Sequence, residues 1–594
     1  MSQRKEKLKR KLVSYNDNPV IKEPFSIIKK PLAIIICIGF LVFLNGLFNH
    51  FILDDPSQIV DNLNIHNVKN IPFFFTGGTF FNGGGAQIGA YYRPLVSTFF
   101  AIIYSFFGNN YVAFHSFQLI FHIANACILF LLFRSFFERR LSLVLSLIFL
   151  VHPLNSEAVY YISSTQDVLF FFFGISSLWL LVGTQYSKRN FTIALIFLLF
   201  SLFSKETGIM FILMDALYLF MKNRQKSYIF IGLSLIILIF YLFLKNNAVG
   251  LFTKSSAGLI GQVGLLTRLI NIPATIIFYL RGFVYPLNLA SVYEWVYKIP
   301  DLLHFWLPLF LFVLFISSVF YFMSVIYKKH SQEDFRTYIF FAFWFFIGIA
   351  LHLNIFPLDA TVAERWFYFP IVGLLGMIGI LLKIYKVNFT NRYVVILTAI
   401  ILIIFSVRTF VRSFDWRNEL QIASHDIKVS KEAYNLENTI AIEFLRQGNF
   451  EEAKIYAEKS INIHPYTQNY NTLGLIYFWL NDYPKAKESY LKALTFGSRY
   501  KVYDNLAWLG LVYGDPKENI EFIKGTLKKF PQDYRLWLYL AILEYKQGDM
   551  GHAKAAIIMA SRFDQSVETK TIFDNIMKGE PLNLGYTLGN KLIE

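Results

Sequence analysis

Two adjacent carboxylates, Asp54 and Asp55, stand between Leu53 and Pro56, at the end of the first apolar run of the chain. A carboxyl group at the edge of a membrane serves either as a helix or loop cap in water or as a general base facing a cavity. Other ionisable residues end or open later apolar runs. Arg93 precedes Pro94, Glu157 follows His152, Asp167 enters a run after Thr165 and Gln166, Lys205 and Glu206 share a tight turn, Arg281 precedes Gly282, and Glu364 and Arg365 open a late run. Singly, each reads as a structural helix end. Together they bring acids and cations to one side of an apolar bundle, which makes either a functional cavity or a paired structural network. His115 and His122, seven apart on one helical face, read as a hydrogen-bonded interhelical pair.

Asp54, Asp55, Glu157 and Asp167 form an oxygen-rich set of the kind that holds a hard divalent ion. No zinc-protease helix, nucleophile elbow, phosphate-binding loop or dinucleotide fingerprint is present in a suitable context, and Gly83 to Gly85 read as a flexible turn. One base, several cations and access to lipid suit the transfer of a sugar from a polyprenyl phosphate. The phosphate leaves as a weak base, so cations rather than a general acid meet its developing charge. A glycosidase would instead need two opposed carboxyl groups in different protonation states.

These residues need a membrane scaffold to hold them. Of 594 residues, 55% are hydrophobic and 16% charged, against about 25% charged in soluble domains. Cys37 and Cys127 both lie in apolar runs, which excludes a disulfide scaffold. The hydropathy pattern predicts eleven spans: 31–51, 112–133, 141–153, 168–184, 191–203, 208–221, 228–244, 303–327, 337–356, 367–385 and 393–410. With the N-terminus in the cytoplasm, all six cytoplasmic segments are basic, beginning with the 1–30 tail, whereas the outer loop 155–166 has no Lys or Arg. This asymmetry explains much of the net charge of +16 without nucleic acid. The runs 92–107 and 265–285 are expected to lie in, or re-enter, the outer interface. An odd number of spans places the C-terminal part outside the cytoplasm.

That part carries an internal period. Gly448, Asn481, Gly514 and Gly548 align at intervals of 33, 33 and 34 residues, with Ala453, Ala486, Asn519 and Ala553 five positions later. Small residues at that position let paired helices approach. The expected fold is therefore all-α: a polytopic helix bundle over 31–412 with its first outer loop at 52–111, a linker at 413–433, four tetratricopeptide repeats over 434–566, and a tail at 567–594.

The ordered motifs Asp54-Asp55, Tyr92–Leu95, Phe114-His115, His152–Val159, Ser204–Glu206, Ala363–Pro370 and Trp416–Glu419, followed by the repeats, resemble the transmembrane and tetratricopeptide-repeat-containing (TMTC-type) O-mannosyltransferases. These are GT-C membrane glycosyltransferases. The resemblance runs from about 31 to 566. It implies a polyprenyl- or dolichyl-phosphate sugar donor, an outward-facing active site and transfer to Ser or Thr of a protein; the expected enzyme is inverting, moves mannose or a similar sugar, and holds its extracytoplasmic acceptor with the repeats. It implies no cofactor and no divalent metal. The related pattern makes the first acid, Asp54, the base, with Asp55 beside it. Arg93, Arg281, Arg365 and Lys205 are the candidates for the lipid phosphate, with Glu157, Asp167, Glu206 and Glu364 as supporting acids and Glu206 as one partner for Lys205. Where the family reads Arg-Ala-Asp, this chain has Thr165, Gln166 and Asp167. The alternative readings are a polymerase or ligase of lipid-linked oligosaccharide and a non-catalytic scaffold of envelope assembly. The expected location is a prokaryotic cell membrane, or the endoplasmic reticulum membrane in a eukaryote.

Overall fold

The computed structural model describes residues 25–81, 87–88, 91–183, 187–251 and 258–582, and divides into two units. The basic N-terminal segment up to Lys22 and the glycines 83–85 lie outside the described residues. The first unit comprises residues up to Asp55, Ile65–Gly78 and Ala90–Asn418.

Its long helices are α1 (Phe25–Phe43), α2 (Pro94–Phe107), α3 (Tyr111–Phe133), α4 (Arg139–Val151), α5 (Thr165–Gly183), α6 (Lys188–Ser204), α7 (Ile209–Lys222), α8 (Arg224–Val249), α9 (Leu265–Val284), α10 (Leu307–Lys329), α11 (Gln332–Ala350), α12 (Pro370–Ile384) and α13 (Arg392–Asp415). Their starts are written in the sequence. Asn110, Ser187, Asn223, Ser331 and Asn391 cap α3, α6, α8, α11 and α13 through side-chain oxygens that accept backbone N–H groups of the first turn.

Every run expected to span is helical over most of its length. Among the described residues, six helices are long and apolar enough to cross a membrane, or seven if the pair Arg139–Val151 and Pro153–Tyr160, bent by 50°, is one span. The remaining expected spans are shorter or less apolar: α7 has 14 residues and α12 has 15. At about 1.5 Å per residue, neither reaches the roughly 30 Å of a hydrocarbon core. The run expected over 337–356 stops being helical at Ala350, leaving 351–363 as a loop. The stretches 92–107 and 265–285 are helices too, α2 opening on Pro94 and α9 containing Pro273.

The span Ile162–Gly183, which contains α5, is the hub, 83% buried, whereas α13 is 6% buried and faces outward. Close approach around the hub depends on absent side chains. A Cβ on Gly174 would fall 1.9 Å from the Phe211 ring of α7, and one on Gly373 of α12 would fall 2.4 Å from a backbone nitrogen of α11. Helices this close exclude a larger residue at either place.

The second unit contains Glu419–Glu594 together with 56–64 and 79–89. In it, Phe80–Phe81 pairs antiparallel with Gln87–Ile88. Four helix pairs follow: Tyr434–Arg446 with Phe450–Ile463, Thr467–Trp479 with Tyr483–Phe496, Tyr500–Leu509 with Pro516–Leu527, and Tyr534–Lys546 with Met550–Phe563. A last helix, Val567–Lys578, packs on the fourth pair and buries Ile572 and Ile576. The turn explains the period. Gly448, Asn481, Gly514 and Gly548 all have positive φ, between 61° and 96°, a conformation that only Gly and Asn adopt cheaply. The next residue, Asn449, Asp482, Asp515 or Asp549, caps the second helix of each pair. Ala453, Ala486 and Ala553 are fully buried where the paired helices meet. The third repeat differs because its first helix ends early, at Leu509. Asn519 replaces the alanine there, and its amide donates to the freed carbonyls of Gly510 (2.9 Å) and Tyr513 (3.1 Å).

Candidate active site

The charged residues of the first unit meet as a set of ion pairs. Lys205, in the extended residue between α6 and the turn Glu206–Gly208, places Nζ 2.6 Å from Asp167 at the start of α5. Arg365, in the short helix Glu364–Phe367, pairs its guanidinium with Glu157. The other Glu157 oxygen accepts the Arg365 backbone N–H at 2.8 Å. Glu206 lies 3.2 Å from Lys245 near the end of α8 and 3.9 Å from Arg93, which precedes α2. The expected pairing of Lys205 with Glu206 is thus not the one adopted. Asp167 projects from the first turn of α5 directly at the ammonium, and Glu206 is occupied by Lys245.

Burial sets the electrostatics. Burial pulls the Lys205 ammonium below its ordinary value, Asp167 resists this, and Arg93 and Arg365 push the same way as burial. For Glu206, burial is outweighed by Arg93 and Lys245, so its carboxyl lies below the ordinary range. Lys205 is therefore held beside Asp167 and within electrostatic reach of Arg93 and Arg365. Four cations, Arg93, Lys205, Lys245 and Arg365, face three carboxylates, Glu157, Asp167 and Glu206.

The two aspartates after α1 have different surroundings. Leu53 has a φ of 55°, and the chain reverses so that Asp54 is exposed while Asp55 is fully buried. Asp55 accepts from the Ser163 N–H (2.7 Å), the Ser163 hydroxyl (2.6 Å) and the Ile52 N–H (3.1 Å). Burial pushes its carboxyl up to about 7 despite those donors. The Asp54 backbone N–H donates to the Tyr161 hydroxyl at 3.2 Å. The Arg365 guanidinium lies over the ring of that same tyrosine, 5.9 Å from its centroid. The ring also stacks on Trp416, 5.8 Å away, and Trp416 carries the Arg412 guanidinium at 5.5 Å. One aromatic stack thus ties the exposed acid to the most deeply anchored arginine.

Two predicted residues fall elsewhere. Arg281 is exposed in the last turn of α9 and makes no ion pair among the described residues. Glu364 is buried and accepts from the Ala290 N–H (2.7 Å) and the Tyr293 hydroxyl (2.8 Å), tying the short helix Glu364–Phe367 to the segment after α9. The two histidines of α3 are not a pair. His115 binds the Asn49 carbonyl, and His122 binds the Tyr368 hydroxyl and the Leu150 carbonyl. The structure adds Lys245, Tyr161, Ser163, His352 and Asp359. Asp359 feels both Arg365 and Asp54, and burial raises its carboxyl to about 6. The signals for two of these were faint but present. Lys245 is the first charge after a long apolar run, and Asp359 stands four residues before Ala363.

Residues 93–244 match the family profile of dolichyl-phosphate-mannose-protein mannosyltransferases, and 467–496 match a tetratricopeptide repeat. The chain is 26% identical to a protein O-mannosyl-transferase of Caenorhabditis elegans over 68% of its length and 59% of the relative's. It is 22% identical to protein O-mannosyl-transferase TMTC3 of Homo sapiens, over 78% of this chain and 55% of that one. The chain thus spans somewhat more than half the length of the curated relatives it matches. Among solved structures, the apo oligosaccharyltransferase of Archaeoglobus fulgidus aligns with a TM-score of 0.38 at 13% identity, over 87% of this chain and 72% of the other. The chain resembles the TMTC-type O-mannosyltransferases in its mannosyltransferase segment, its membrane helices and its repeats.

Proposed function

We propose that this protein is an inverting membrane glycosyltransferase that moves mannose or a similar sugar from a polyprenyl- or dolichyl-phosphate donor to a Ser or Thr hydroxyl of an extracytoplasmic protein. The observation that carries this reading is the Tyr161 ring, which holds the Asp54 backbone by its hydroxyl and the Arg365 guanidinium by its face. A base and an anion-stabilising cation fixed to one rigid group are what in-line displacement of a phosphate requires. Asp54, exposed, takes the proton of the acceptor hydroxyl. The hydroxyl oxygen then bonds to the anomeric carbon as its bond to the phosphate oxygen breaks. Arg365, Lys205 and Arg93 meet the charge that develops on the departing lipid phosphate. Asp55, with both oxygens engaged, positions Asp54 and does not itself take the proton.

In this reading no divalent ion takes part, because Glu157 and Asp167 are engaged by Arg365 and Lys205 rather than converging as ligands. The repeats lie outside the cytoplasm and hold the acceptor; tethering it raises its local concentration to about the mM range, so weak binding suffices. The test is sugar transfer by membranes supplied with a polyprenyl-phosphate sugar, in EDTA. We expect Asp54→Asn, at normal abundance, to lose about 100-fold or more of the activity. Full activity in Asp54→Asn would remove the base assignment. Loss in EDTA with recovery on Mg²⁺ would remove the metal-free one. An elongated lipid-linked glycan as product, in place of a modified protein, would favour a polymerase or ligase.

A further inference from the structure

The loop 351–363 between α11 and α12 is held from several sides. Asn354, with a φ of 54°, accepts the Leu358 N–H at 3.0 Å and donates to the Thr361 carbonyl at 2.8 Å. Thr361 donates from its hydroxyl to Trp295 (2.7 Å) and from its N–H to Tyr293 (3.1 Å). Arg268 of α9 donates to the carbonyls of Asn354 (3.3 Å) and Ile355 (2.9 Å).

What this framework fixes is His352. Its ring lies nearly parallel to Trp366, centroids 5.0 Å apart at 12°, and Trp366 is the neighbour of Arg365. His352 is 6% exposed, yet its Nδ1 has no hydrogen-bond partner among the described residues. Buried polar atoms are nearly always paired, so an unpaired one within electrostatic reach of Lys205 and Arg365 marks a place for a ligand atom. Burial, together with Lys205 and Arg365, keeps the imidazole neutral. A neutral imidazole carries one N–H, and beside two cations the ligand most favoured is an anion.

We propose that His352 is a further donor-binding residue, its Nδ1–H donating to a phosphate oxygen of the lipid-linked sugar beside Lys205 and Arg365. This rests on the donor class proposed above. The family motifs quoted from the sequence do not include His352. It comes from the loop that also brings Asp359 within electrostatic reach of Arg365 and Asp54, so one loop serves both the leaving-group side and the base side.

The test is binding by the purified full chain in nanodiscs, with polyprenyl phosphate, uncharged polyprenol and inorganic phosphate as probes. His352→Phe keeps the ring against Trp366 and removes the donor, whereas His352→Asn keeps an N–H near the Nδ1 position. Thermal unfolding of both variants reports on their folding. We expect His352→Phe to weaken polyprenyl phosphate binding by about 10-fold or more, as for a hydrogen bond to a charged group. His352→Asn should stay within about 3-fold of wild type, and polyprenol binding should not change between variants. Wild-type affinity for polyprenyl phosphate in a folded His352→Phe protein overturns the assignment and leaves the donor class standing. Equal weakening in both variants also overturns it, because a side chain that keeps an N–H would then bind no better than one that lacks it. A wild-type protein that binds polyprenyl phosphate no better than inorganic phosphate overturns the donor class and this assignment with it.

Discussion

Arg365 and Glu157 illustrate how a buried ion pair constrains single substitutions. Glu157 is fully buried, and both of its oxygens are taken by Arg365, one by the guanidinium and one by the backbone N–H. Removing the arginine leaves a carboxylate without its charge partner in a low dielectric, at a cost of about 3–5 kcal/mol. Arg365→Ala should therefore lower both abundance and activity. Arg365→Ala combined with Glu157→Gln should recover most of the thermal stability in detergent and none of the transfer activity, which separates scaffold from chemistry. Recovery of activity in the double variant would mean that the guanidinium serves only to neutralise Glu157. Asp55 allows a second test at this scale. Its carboxyl in the native protein ionises near 7, above the usual carboxylate range, so between about pH 4 and pH 7 the folded protein holds a proton that the unfolded chain has lost. Stability at this group is therefore fully present below about pH 4 and declines as pH rises towards 7. Melting curves in detergent from pH 5 to pH 7.5 should show this decline, and Asp55→Asn should flatten it whatever its overall stability.

At the level of elements, the site depends on short irregular pieces rather than on the long helices. Tyr161 follows the one-turn helix Ser156–Tyr160, and its hydroxyl is the acceptor for the Asp54 N–H. Tyr161→Phe keeps the stack on Trp416 and under Arg365 but removes the hydroxyl that accepts that N–H. We expect kcat to fall about tenfold, the scale of one hydrogen bond that orients a catalytic group, with normal abundance. An unchanged kcat would mean that the reversal at Leu53 is enough to orient Asp54. The same contrast explains what the sequence made legible. The helices were readable because apolar runs and Asn or Ser caps are local signals, and the repeats were readable because a turn with positive φ demands Gly or Asn every 33 or 34 residues. The charged residues could be gathered onto one side from the ends of apolar runs. Their pairing could not, because it depends on where turns aim side chains. Lys205 meets Asp167 rather than its neighbour Glu206, and Glu364, adjacent to Arg365, points to Tyr293 instead. His352 stayed hidden for a related reason. It lay within a run read as a span, and only the end of α11 at Ala350 turns it into a loop residue.

Across the whole molecule, the number of crossings decides the side of the membrane on which the repeats stand. Eleven crossings with six basic inner segments would place them outside the cytoplasm; among the described residues, six helices, or seven with the bent pair, meet the length and apolarity of an ordinary span. Short helices inside a bundle can still cross when their ends are covered by neighbouring protein, since backbone polar groups are then satisfied without lipid contact. Parity therefore turns on helices such as α7 and α12, for which length is a poor guide and the placement of charge a better one. The basic residues Arg139, Lys188, Arg224, Arg336 and Arg392 all lie at or near the N-terminal ends of α4, α6, α8, α11 and α13. This is the end where the helix dipole disfavours cations, so retention by topology explains them better than local stability does. Lys492 is exposed on the second helix of the second repeat, and the two native cysteines are Cys37, exposed, and Cys127, half-buried. In a protein lacking both, Lys492→Cys should react with an impermeant maleimide on intact cells, or on the lumenal side of sealed microsomes, to the same extent as after lysis. Protection until lysis would place the repeats in the cytoplasm. An even number of crossings would follow, and the acceptor-holding role proposed for the repeats would have to be given up together with the outward orientation.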